Sequence, residues 1–90
     1  MPDWLDRYAD ALANMLEGAG DPGLQRGERN VVLDLARIVA HGTERKNAPL
    51  AAFVAGRYSA LRETGGADRD SAVAEAVDAA RRLLDASAEE

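Results

Sequence analysis

The sequence contains no cysteine. Disulfides and thiolate metal sites are excluded, and the chain fits a reducing cytoplasm. Aromatic residues are almost as scarce: Trp4, Tyr8, Phe53 and Tyr58 are the whole set. An interior with so few of them relies on alanine and aliphatic side chains. At roughly 25 cal/mol per Å² of apolar surface, such a core is modest. His41 is the only histidine. With no cysteine it could share a metal only with carboxylates, a set that structural zinc rarely accepts, so neither a metal nor a cofactor is expected. No apolar run approaches the ~18 residues of a membrane span. The start, Met1-Pro2-Asp3-Trp4, lacks the charged region and apolar stretch of a signal peptide. There is no alternating β-branched run, no Asn-Gly hairpin and no internal repeat.

What the sequence does have is helical period and acidic charge. Its 90 residues carry a net charge of −5, which argues against nucleic acid or an anionic membrane as partner, because phosphate affinity comes mainly from Lys and Arg. The charge is uneven. The chain is strongly acidic from Asp68 onward and slightly basic from Arg26 to Lys46, so a local anion site stays open. The length fits one domain, residues 1–90. A domain of this size has a thin stability margin, and a homodimer or a larger partner would add burial.

Four amphipathic segments are separated by breakers. The first spans about residues 3–18. Asp3 can cap it, with Asp6 three residues on as in a capping box. Trp4, Tyr8, Leu12, Met15 and Leu16 share one face, and Asp6, Asp10, Asn14 and Glu17 the other. Gly18 and Gly20 stop it, and Asp21-Pro22-Gly23 makes a turn. The second spans about 28–41. Apolar residues from Val31 to Ala40 cover most of its circumference, leaving a narrow stripe of Asn30, Asp34, Arg37 and His41. Such a helix is the most buried of a bundle, and Gly42 suits its C-terminal end. The third spans about 48–64, with Pro49 in its first turn. Leu50, Phe53, Val54, Tyr58 and Leu61 form its apolar face, and Gly65-Gly66 ends it. The fourth spans about 68–86, with Ala72, Val73, Ala76, Val77, Ala80, Leu83 and Leu84 on one side. Asp78 and Arg82 are spaced to pair. The expected fold is all-α, a compact four-helix bundle, up-down-up-down, with the second helix most buried.

The residues that could carry chemistry are few. His41 ends the second helix, where the dipole favours a cation. It either bonds a free carbonyl or contacts an anion. Arg57 falls in the middle of the third helix's apolar face. If that face is buried, its guanidinium must pair with Asp34 or Glu44, extend to water, or meet an anionic ligand. Asp34, Arg37 and His41, followed by Arg45 and Lys46, either surround a phosphate or carboxylate or form a solvated stripe held by an Asp34–Arg37 contact. Hydrolytic machinery is missing: no Ser–His–Asp arrangement, no glycine-rich phosphate loop and no paired carboxylates with reason to be buried. Asp70-Ser71-Ala72 resembles the carrier serine of acyl carrier proteins. It opens the last helix rather than the second and lacks the following Leu, so Asp70 or Ser71 reads as a helix cap.

The run from Val31 to His41, then Glu44-Arg45, then Ala48-Pro49-Leu50-Ala51-Ala52-Phe53, together with Asp3-Trp4, resembles a small actinobacterial helical domain of unknown function. That domain occurs alone or appended to molybdenum-cofactor guanylyltransferases. The family pattern has Pro directly after the loop arginine, where this chain has Lys46-Asn47. The pattern includes Asp34, Arg37, His41, Arg45 and Pro49. The resemblance implies association with molybdenum-cofactor nucleotide biosynthesis and supplies no catalytic role. The leading expectation is a non-catalytic accessory or protein-interaction module, with a nucleotidyltransferase of molybdenum-cofactor assembly as partner. The alternative is a small-anion or nucleotide binder using Arg37, His41, Arg45 and Arg57.

Overall fold

The computed structural model describes residues 3–89. It contains four helices, α1 Trp4–Met15, α2 Glu28–Gly42, α3 Asn47–Thr64 and α4 Arg69–Glu89, and no strand among the described residues. The protein is an all-α bundle, as its helical period predicts.

Each boundary has a local cause. At α1 the Asp3 carboxylate accepts the Asp6 N–H at 2.9 Å, and the Asp3 N–H donates to Asp6 Oδ2 at 3.3 Å, so the capping box is closed. The helix ends at Met15, because Glu17 and Gly18 both turn to positive φ, 52° and 87°. The link to α2 then makes a turn, with the Glu28 N–H donating to the Gln25 carbonyl at 3.0 Å. Thr43 closes α2: its N–H and its hydroxyl both donate to the Val39 carbonyl. Asp68 caps α4, accepting the Ser71 N–H at 3.1 Å. The cap is thus two residues ahead of the expected Asp70, and Ser71 donates to it rather than capping.

Helices α2, α3 and α4 pack on one another in all three pairings, whereas α1 packs on none of them. Side-chain pairs give the directions. Glu28 meets Arg69 and Asp34 meets Arg81, so α2 and α4 run the same way. Arg62 meets Glu75 and Glu63 approaches Arg69, so α3 runs against α4. The core is Leu35, Val39 and Val77, backed by Ile38, Ala51, Ala55 and Ala80. Helix α2 supplies its centre, in line with its wide apolar surface.

Helix α3 sits the other way round from expectation. Its inward face is Ala48, Ala51, Ala52, Ala55 and Ser59, all half-buried or buried. Leu50, Phe53, Val54 and Leu61 face water, 61–71% exposed. The helix carries two apolar stripes on opposite sides, and the one with small side chains lies against α2 and α4. Ser59 is accommodated in that interior because its hydroxyl donates to the Ala55 carbonyl at 2.9 Å. On α4, Leu83 is likewise outside the core, at 72% exposure.

Candidate functional site

The polar stripe of α2 does not enclose a ligand site. Asp34 accepts from Arg37 on its own helix and from Arg81 on α4. The hydrogen bond from Arg37 is the main reason its carboxyl lies below the usual range. His41 stands exposed in the last turn of α2, and Arg45 is exposed in the link to α3. Arg57 projects from the outer face of α3, among Leu50, Phe53, Val54 and Leu61, and no carboxylate pairs with it among the described residues. The expected constraint on a buried guanidinium does not arise, because that face is solvated. Neither expected partner reaches it: Asp34 is held by two other arginines and Glu44 pairs with Lys46. Three cavities, of about 340, 510 and 540 Å³, are lined by none of Arg37, His41, Arg45 and Arg57. Among the described residues no three His, Asp or Glu side chains are grouped to hold a metal.

Two clusters tie the bundle together instead. The first is nearly dry. Glu28, only 5% exposed, receives Arg69 Nε at 2.7 Å, Arg69 Nη2 at 2.8 Å and the Gln25 N–H at 2.8 Å. Arg69 Nη2 also donates to the Gly23 carbonyl at 2.7 Å. This fork joins the α1–α2 link, the start of α2 and the start of α4. The signal in the sequence was a cation opening a helix: Arg69 stands at the positive end of the α4 dipole, an unfavourable place unless a carboxylate comes to it.

The second cluster is exposed. Glu75 accepts from Tyr58 at 2.6 Å and from Arg62 at 3.0 and 3.1 Å, joining α4 to α3. Arg62 first, then Tyr58, hold the Glu75 carboxyl down to about 2, and the carboxylate in turn raises the Tyr58 hydroxyl. A carboxyl depressed in the folded state resists protonation there. Its stabilising effect is therefore complete above its ordinary value of 4.5 and disappears as the pH falls toward about 2. In Glu75→Gln, acid titration followed by circular dichroism is expected to show a shallower loss of stability over that window than in the wild type.

What the structure presents most openly is apolar surface. Between α3 and α4, beside the far end of α2, runs a groove of about 510 Å³ bordered by Val54, Tyr58, Ala76, Ala79, Ala80 and Leu83. It is continuous through Val54 with the outer face of α3. Helix α1 shows a second patch. Trp4, Tyr8, Ala11 and Met15 follow one another at i, i+4, i+7 and i+11, all exposed, with the Trp4 and Tyr8 rings stacked 5.2 Å apart. The accessible surface totals 6988 Å², about 1,900 Å² more than the roughly 5,100 Å² expected of a compact monomer with this mass. Isolated exposed hydrophobics are normal, but contiguous patches this large mark interaction surfaces.

A family model described as a domain of unknown function, DUF6457, matches residues 1–90. The chain belongs to that family. No curated protein and no solved structure matches it. The whole length of this DUF6457 domain is covered, including α1 and the link that α1 precedes. Helical period found the stripe of α2 and the arginine of α3. It missed the Glu28–Arg69 fork and the outward orientation of the large α3 side chains, and with it the most extensive candidate surface. No helix among the described residues is long and apolar enough to cross a membrane.

Proposed function

We propose that this domain is a non-catalytic accessory module that holds a partner protein on the outer face of α3 and the adjoining α3–α4 groove. One observation carries the reading: α3 turns its alanines inward and leaves Leu50, Phe53, Val54 and Leu61 at 61–71% exposure. A chain with few large apolar residues spends them outside its own core. Apolar anchors around a central cation suit a partner surface that supplies an amphipathic helix with a carboxylate for Arg57. Nothing comparable favours a nucleotide or small-anion binder, since the exposed cations share none of the three cavities.

The partner implied by the resemblance in residues 31–56 is an actinobacterial guanylyltransferase of molybdenum-cofactor assembly. The test is calorimetric titration of such an enzyme with the wild-type domain and with Phe53→Ser/Leu61→Ser. Saturable binding that the double substitution weakens at least tenfold, with the melting temperature kept, is the expected result. Absence of binding removes this partner. Binding indifferent to the two substitutions removes the surface.

A further inference from the structure

The same chain carries an uncovered groove and an uncovered amphipathic helix. Building on the reading of the α3 side as a docking surface, we propose that α1 of one copy seats in the α3–α4 groove of a second copy, and reciprocally, forming a two-fold dimer.

The helix has the form a groove takes. Trp4, Tyr8, Ala11 and Met15 line one side of it, the anchor spacing by which an amphipathic helix enters an apolar cleft. That side is turned away from Ala9, Leu12 and Ala13, which are half-buried. A second copy can therefore cover it without displacing the helix. The groove has the matching character, small alanine walls with Val54, Tyr58 and Leu83 at the rim. Arg57, unpaired beside that rim, gains an aromatic face when Trp4 and Tyr8 arrive, an interaction worth most where water is excluded.

The chain's own α1 is in the wrong place to do this. Asp3 is paired with Arg29 at 2.8 Å, and a Cβ at Gly23 would sit 3.6 Å from Ala9 Cβ, so α1 is held near the start of α2. The groove lies beside Val39 and Thr43, which are roughly 15–20 Å further along α2 from Arg29 at 1.5 Å per residue. Another copy has no such tether.

The area suffices. A stable specific interface removes roughly 800 Å² from each partner. Each chain shows about 1,900 Å² beyond the compact expectation, and Trp4, Met15 and Leu83 alone are 68%, 78% and 72% exposed. A contact that uses helix and groove on both chains closes on itself and stops at two copies.

The experiment uses sedimentation equilibrium across a thousandfold concentration range, with the emission of Trp4, the sole tryptophan, read on the same samples. A monomer–dimer equilibrium is expected, with Trp4 emission moving to the blue at the same midpoint. Tyr8→Ser and Ala79→Glu should each weaken dimerisation at least tenfold. Mixing the two variants should restore part of it, because one intact helix meets one intact groove. Leu83→Glu, at a more exposed groove position, replaces Ala79→Glu if that variant does not fold. A monomer with Trp4 already shielded overturns the proposal in favour of α1 folding onto its own chain. A monomer with Trp4 in water overturns it too, yet leaves the docking surface to be decided by the enzyme titration. A dimer that ignores all three substitutions uses another face and also overturns it.

Discussion

Arg69→Met is expected to lower the unfolding free energy by about 3–5 kcal/mol, because it strands a buried carboxylate. Glu28 is only 5% exposed and takes two of its three hydrogen bonds from that guanidinium. Water cannot replace them readily at such depth. The Gly23 carbonyl loses a donor in the same step. Small domains have total stabilities on the order of 5–15 kcal/mol, so the variant should be partly unfolded at room temperature. Urea denaturation measures this directly. Glu28→Met/Arg69→Met should lose less than the single substitution, since removing both charges leaves no ion unpaired. A single variant as stable as the wild type would mean that the fork does not secure the bundle.

Leu35→Ala is expected to cost about 2–5 kcal/mol, the range for a large side chain truncated in a packed core. Leu35 is 2% exposed and sits where α2, α3 and α4 meet. Phe53→Ala and Leu61→Ala, on side chains 68% and 71% exposed, should change monomer stability by no more than about 0.5 kcal/mol. The contrast tests the orientation of α3. If Phe53→Ala proves as damaging as Leu35→Ala in dilute solution, its ring is inside the fold. Dilution matters, because association adds apparent stability to whatever surface it covers.

The helices were legible because period and punctuation agree. Asp3 and Asp6 are spaced for a reciprocal cap, Pro49 can stand only in a first turn, and glycines follow the apolar runs. The central role of α2 was legible from the width of its apolar surface. The facing of α3 was not. A helical pattern reports stripes, and α3 has two, Ala48-Ala51-Ala52-Ala55-Ser59 and Leu50-Phe53-Val54-Leu61. Ranking them by hydrophobic area selects the second, whereas close helix packing selects the first. Arg57 was misjudged for the same reason, since its burial depended on that choice. Of the candidate site, periodicity located Asp34 and Arg37 and their mutual contact. Their third partner, Arg81, lies 47 residues along the chain, and no local pattern could have indicated it. Glu28 looked like an ordinary acidic residue in a first turn. Its burial comes from the link folding over it, a tertiary event.

The alanine lining of α3 also limits how this molecule can be strengthened. Methyl groups let neighbouring helices draw close, and larger side chains at Ala51 or Ala55 would force them apart or strain their own rotamers. The bundle is a slab 19 Å thick, about two helix diameters, with no spare room inside. Enlarging the interior is closed to it as a route to greater stability. A further layer can be laid only on the outside of α3, where the bulky residues already are.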